Sequence, residues 1–201
     1  MYTSADLAYY NQGDNLTYNI AASVDTSIES VLFPVMSSLQ DDRAQVKNMT
    51  RRSIKTCTYI IAPVMMSIAF CAEPLVRLIL TEKWLPCVLF LRVFCLSYMC
   101  WPIITANLNA AKAVGRSDLY LKCQLMNEVV CILLLLATFR VSVDAIAYGM
   151  LVTNIVTQIL DAQPSKKLID YGYLEQMHDI LPTLLLAAGA GLCMYLVVFL
   201  H

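Results

Sequence analysis

Charge almost vanishes from five stretches of this chain. Residues 56–72, 145–160 and 180–200 contain no Asp, Glu, Lys or Arg, while 84–111 carries only Arg92 and 123–139 only Glu128. A helix rises 1.5 Å per residue, so each run, with its flanks, is long enough to cross about 30 Å of hydrocarbon. A sixth stretch, 15–36, is less apolar but has two faces at the helical angle. Ile20, Val24, Ile28, Val31, Leu32 and Val35 fall on one side and Asn19, Ser23, Thr26 and Ser30 on the other, with Asp25 and Glu29 on the flank. The pattern predicts an all-α polytopic transmembrane helix bundle, a single transmembrane domain over 1–201. Its spans, about six, lie near 15–36, 56–80, 84–111, 123–140, 144–161 and 180–200. Short alternating segments of the kind a membrane barrel needs are not what these runs look like.

Composition agrees with that reading. Of the 201 residues, 59% are hydrophobic and 14% charged, whereas soluble domains carry roughly 25% charged residues. Fourteen basic and 15 acidic residues leave a net charge of -1, without the basic excess of a nucleic-acid binder. Eight cysteines lie mostly inside the apolar runs, with no C-x-x-C spacing and only two histidines, His178 and His201. They read as small packing residues, and no metal site or cofactor is expected.

Basic residues then orient the spans. Arg43, Lys47, Arg51, Arg52 and Lys55 share one loop, Lys112, Arg116 and Lys122 another, and Lys166 and Lys167 a third; the intervening loops hold Arg77 with Lys83, and Arg140. Alternate loops thus carry ten basic residues against three. The loops at 37–55, 112–122 and 166–167 are predicted cytoplasmic, with both chain ends outside. Residues 1–15 have neither a basic n-region nor an apolar h-region, so they are no signal peptide. A chain entering its first span this way reads as a fragment whose preceding helices are missing. Of two N-x-[ST] matches, Asn15 and Asn48, the second falls on the cytoplasmic side.

The polar residues inside the spans are the candidates for chemistry. The stripe Asn19, Ser23, Thr26 and Ser30, with acidic neighbours and no Lys or Arg, fits a spanning helix with one face on a wet cavity better than an interfacial helix. Asn154, Thr157, Gln158 and Asp161 stand at i, i+3, i+4 and i+7; they either line the same cavity or glue helices together. Arg92 either snorkels to the headgroups or attracts an anion in a central cavity. Asn107 and Asn109 follow toward the cytoplasmic end, beyond a kink expected at Pro102. Glu128 is either a proton or cation site or the partner of Lys122 or Lys112. The small residues Ala187 to Gly191 allow close helix contact. No Gly-rich phosphate loop and no nucleophile-base-acid set is present, so no catalytic residue is assigned and an enzyme is not expected.

Several short motifs carry a family likeness: Leu7-Ala-Tyr-Tyr-Asn-Gln-Gly, Ser27-Ile-Glu-Ser-Val-Leu-Phe-Pro, Gln40-Asp-Asp-Arg, Met49-Thr-Arg-Arg-Ser, Glu73-Pro-Leu-Val-Arg-Leu, Thr81-Glu-Lys-Trp-Leu-Pro, Thr105-Ala-Asn-Leu and Gly115-Arg-Ser-Asp. Together, over about residues 7 to 160, they resemble the Wzx-type lipopolysaccharide and polysaccharide flippases, of one superfamily with the multidrug and toxin exporters. The resemblance implies one lobe, the second, of a two-lobed exporter in the bacterial plasma membrane. It implies flipping of an isoprenoid-linked oligosaccharide by alternating access, for cell-surface polysaccharide such as lipopolysaccharide, O-antigen or capsule. The implied partners are membrane lipid, that substrate, the helices of the missing N-terminal lobe and the polysaccharide polymerase machinery. On this reading Asn19, Ser23, Thr26, Ser30, Arg92, Asn107, Asn109, Asn154, Thr157 and Gln158 are substrate-pathway candidates, and Asp25, Glu29 and Glu128 are ion-coupling candidates. Two alternatives remain: export of small cationic compounds, and a non-transporting membrane fragment.

Overall fold

The computed structural model describes residues 4–39, 42–138 and 142–200. Gln40 and Asp41 of one motif, Phe139, Arg140 with its place in the charge alternation, and His201 lie outside the described residues. All regular structure among the described residues is helical: α1 (Ser4–Ser38), α2 (Arg43–Phe70), α3 (Ala72–Ile79), α4 (Cys87–Met99), α5 (Trp101–Ala113), α6 (Ser117–Thr138), α7 (Val143–Ile169) and α8 (Tyr173–Leu200), with a 3-10 turn at Glu82–Trp84. Among the described residues five helical stretches are long and apolar enough to cross a membrane, α4 and α5 counting as one; α1 is not among them.

Helix ends depart from the apolar runs for identifiable reasons. The loop expected at 37–55 is largely the first turns of α2, which begins at Arg43. Asp42 caps that helix, accepting from Ala44 N at 3.0 Å and Gln45 N at 3.1 Å, while Gln45 Nε2 donates to its second oxygen at 2.8 Å. The run expected to continue to residue 80 instead breaks at Cys71. Pro74 has no N–H for the Phe70 carbonyl and its ring crowds that carbonyl. The run 84–111 is two helices meeting at Cys100, with Pro102 in the first turn of α5, where a missing N–H costs least. α7 and α8 extend seven or more residues past the charge-free cores, because helices continue into the polar interface where hydropathy falls away.

The largest core cluster, at one end of the bundle, draws on five helices. Met36 of α1, Val46 and Ile54 of α2, Ala110 and Ala113 of α5, Leu168 of α7 and Ile180 of α8 share one core cluster around Tyr171. At the other end Leu16, Ala72, Val76, Trp84 and Leu91 form a second cluster, and Tyr9, Phe90, Phe94 and Ala147 a third. Between them Ala21, Ile61, Met65, Cys95, Met99 and Ala187 pack at mid-height. α2 lies most extensively against α8 and α1 against α4, while α6 touches mainly α7.

Small residues set the closest approaches. The buried face of α1 is Gly13, Thr17, Ala21 and Asp25, one residue per turn. A Cβ at Gly13 would sit 2.9 Å from Phe90 Cβ and 3.0 Å from Leu91 N, so only glycine admits α4 there. On α8, Ala187 is buried and a Cβ at Gly191 would collide with the Phe70 ring, whereas Gly189 faces open space. Of the eight free cysteines, Cys57, Cys87, Cys95 and Cys123 are buried in such packing.

Candidate functional site

α1 and α5 together form a groove of about 250 Å³, lined by Tyr18, Ala22, Asp25, Thr26, Glu29, Trp101, Thr105, Leu108, Asn109 and Lys112. The small-residue seam of α1 draws the helix in, and the break at Cys100 turns α5 so that Trp101, Thr105 and Asn109 follow one another on its facing side. Beneath the groove, a pocket of about 10 Å³ joins Asp25 and Asn109 to Ser53 and Cys57 of α2.

Asp25 is 8% exposed and accepts a 2.8 Å hydrogen bond from Thr105 Oγ1. It has no basic partner among the described residues. Glu29, one turn on, faces Lys112 Nζ at 3.6 Å. Asn109 is buried, and its Oδ1 meets no donor among the described residues. Trp101 stands 5.4 Å from Tyr18 and 5.2 Å from Tyr98, ring centre to ring centre, so an aromatic wall runs up one side of the groove. Tyr98 is fixed by donating from its hydroxyl to Asp14 at 2.6 Å.

Of the sequence candidates, the groove collects Asp25, Thr26, Glu29 and Asn109. Asn19, Ser23, Thr26 and Ser30 are exposed along α1, forming a polar strip that leads past the groove. Each returns a bond to its own helix: Asn19 Nδ2 to Asn15 O and Ser23 Oγ to Asn19 O, both at 2.7 Å, Thr26 Oγ1 to Ala22 O at 2.7 Å, and Ser30 Oγ to Ser27 O at 2.8 Å. The apolar face read from the sequence is packed only in part: Val24 and Leu32 join core clusters and Ile28 is half-buried, whereas Ile20, Val31 and Val35 are exposed. The close helix contact falls to the small residues instead.

The remaining candidates sit elsewhere. Asn107 is wholly engaged with Gln176 of α8, the two amides exchanging 2.9 Å hydrogen bonds. Thr157 donates to the Asn154 carbonyl at 3.1 Å, and Gln158 meets the Cys100 thiol at the α4–α5 break. Asp161, 1% exposed, takes both of its oxygens to Asn127 Nδ2 of α6 at 3.1 and 3.0 Å. Glu128 is exposed on α6, and Lys112, one of its two expected partners beside Lys122, pairs with Glu29. Arg92 is exposed beside α2 and α8, away from the groove residues.

The sequence reading passed over Thr105, Trp101, Tyr18 and Lys112 as site residues. Thr105 lies in the Thr105-Ala-Asn-Leu motif, and its helical spacing to Trp101 and Asn109 was the available signal. A second polar cluster, at the end with the basic loops, was also unforeseen. Asp179 accepts from Arg51 Nη2 at 2.6 Å and Tyr171 Oη at 3.0 Å, with Lys55 Nζ also at 3.0 Å. Lys47 bridges Glu175 at 3.2 Å and the Asp170 carbonyl at 2.5 Å. Burial, then the bond to Asp179, raises the pKa of the Tyr171 phenol. This cluster ties α2 to α8, and its Lys47, Asp170 and Glu175 line a pocket of about 390 Å³ beside Lys166 and Tyr173.

Residues 1–89, which hold α1 to α3 and the start of α4, match the family described as polysaccharide biosynthesis protein. A relative from Klebsiella pneumoniae, named "Uncharacterized membrane protein in cps region", is 31% identical over 94 residues. That alignment covers 45% of this chain, and the chain spans 19% of the relative's length. No solved structure matches. The chain is a multi-pass helical membrane protein, and the likeness to polysaccharide biosynthesis proteins drawn from its motifs stands over its first 89 residues.

Proposed function

We propose that this chain forms one lobe of a transporter that moves a lipid-linked oligosaccharide across the bacterial plasma membrane, without enzymatic chemistry. The observation that carries the reading is the α1–α5 groove with its polar approach along α1. A sugar ring presents a C–H face, which an aromatic plane covers, and a rim of hydroxyls that need hydrogen-bond partners out of water. Trp101 and Tyr18 supply the plane; Asp25, Thr26, Thr105 and Asn109 supply the partners. Asn109 Oδ1, buried with no donor among the described residues, is ready to accept from a sugar hydroxyl. The family match over 1–89 supports a polysaccharide substrate class.

In this reading Asp25 is also the ion-coupling carboxylate, since Glu29 is balanced by Lys112 and Glu128 stands apart. The basic ends at Arg43–Lys55, Lys112–Lys122 and Lys166–Lys167 lie in the cytoplasm, and the facing lobe comes from further helices that rock against this one. The test is deletion of the natural gene in a polysaccharide-producing strain, followed by complementation. Wild type restores surface polysaccharide, while Trp101→Ala and Ser23→Trp lower it roughly tenfold, the effect of about 1.4 kcal/mol. The lipid-linked oligosaccharide then accumulates in the cytoplasmic leaflet. Unchanged surface polysaccharide after deletion overturns the proposal.

A further inference from the structure

Arg92 lies about 7.5 Å into α4, at the end of the bundle where α2 and α8 finish. It stands at the lip of a crevice of about 450 Å³ whose other lining residues are Met66, Ala69, Phe70, Leu96, Leu192 and Tyr195. Phe70 and Tyr195 form one wall, with ring centres 6.2 Å apart, and the absent side chain of Gly191 lets Phe70 seat against α8. The crevice opens onto an apolar exterior, with Leu96 and Leu192 of its lining exposed. A guanidinium has five N–H donors. Among the described residues one of these is used, Nε to the Ala69 carbonyl at 3.2 Å, and no carboxylate pairs with Arg92.

An Arg held at an apolar, lipid-facing cleft is costly unless an anion meets it. Its planar fork suits a phosphate bidentately. The long Arg stem reaches from this depth toward the headgroup zone, the apolar lining takes a hydrocarbon chain, and a single cation balances a single negative charge. The geometry points to a lipid-binding site: an anionic bilayer phospholipid docks here, its phosphate on the Arg92 Nη groups and one acyl chain along Phe70, Leu96 and Leu192. A glycosyl pyrophosphate carrier would bring two phosphates and a sugar rim, for which this crevice offers one cation and little else that is polar. The inference does not depend on oligosaccharide transport.

The experiment places the chain, as the cell makes it, in phosphatidylcholine bilayers containing spin-labelled phosphatidylglycerol or spin-labelled phosphatidylcholine. The motionally restricted fraction of each lipid is read by electron paramagnetic resonance. Wild type restricts phosphatidylglycerol preferentially. Arg92→Gln lowers that preference roughly tenfold, the scale of hydrogen bonds to a charged group, and Arg92→Lys lowers it less. Leu96→Trp, which fills the crevice and leaves Arg92 in place, lowers it too, so the proposal remains testable if Arg92→Gln does not fold. Arg116→Gln, at the opposite end, leaves it unchanged. Equal preference in wild type, Arg92→Gln and Leu96→Trp overturns the site. Displacement of phosphatidylglycerol by stoichiometric polyisoprenyl phosphate overturns its assignment to a bilayer phospholipid.

Discussion

Thr81 adopts φ 84 and ψ 163 just after α3, a region open essentially to glycine, where a β-branched side chain costs about 1–3 kcal/mol. Thr81→Gly is therefore expected to raise the thermal midpoint in detergent, and a drop would show that the Thr side chain makes compensating contacts. Asn107 and Gln176 carry the opposite kind of constraint. Replacing either with Leu strands the other amide in a buried site and is expected to cost about 1–3 kcal/mol. The double replacement should cost clearly less than the two singles together, which a double-mutant cycle measures. At Asp42 the backbone N–H of Gln45, with its side chain next, holds the carboxyl below the usual carboxylate range. A folded value below the unfolded one stabilises above the ordinary pKa, and that stabilisation is lost as pH falls through the lowered value. The gap in thermal midpoint between wild type and Asp42→Ala should accordingly be present at neutral pH and close on acidification below about pH 4.

Among the elements, α1 and α8 show what a hydropathy pattern conveys and what it omits. The charge-poor runs locate α2, α4 with α5, α6, α7 and α8, because excluding charge is what a hydrocarbon solvent demands. Packing faces leave a weaker trace, because lipid is as apolar as leucine and an exposed Ile20 or Val31 is not penalised. The readable signal is small residues one turn apart, and on α1 the series Gly13, Thr17, Ala21 and Asp25 was there to be seen. Helix breaks at Cys71 and Cys100 follow from Pro74 and Pro102, and of these only the Pro102 kink was foreseen. Asp25, Glu29, Thr26 and Asn109 of the groove were legible as polar residues within spans, while Trp101 and Lys112 were not, since an aromatic or a terminal Lys is ordinary near an interface. Contact geometry makes the glycines unequal. Gly13→Leu and Gly191→Leu should each destabilise the bundle by several kcal/mol through overpacking. Gly189→Ala, with open space around it, should hold or slightly raise the melting temperature through better helix propensity.

At the scale of the whole molecule, the exposed polar strip of α1 poses a choice between lipid and water. The serine and threonine hydroxyls bond back to carbonyls of their own helix, which makes them tolerable in hydrocarbon. Asn19 is different, because one bond to the Asn15 carbonyl leaves an amide N–H and a carbonyl oxygen that lipid cannot serve. Glu29 on the flank, facing Lys112 Nζ at 3.6 Å, adds charge that hydrocarbon serves still less. A strip facing water, or a water-filled space completed by further helices, satisfies all of these groups together. The prediction uses a chain in which the exposed Cys193 is replaced by Ser. Cysteines substituted for Ser23, Thr26 and Ser30 should react with a membrane-impermeant maleimide in intact membranes or inverted vesicles. Cysteines substituted for Val129 and Leu185, equally exposed but apolar-faced, should not. If the strip positions are as unreactive as those controls, α1 faces lipid, and the groove has no aqueous approach through which a saccharide could reach Asp25 and Trp101.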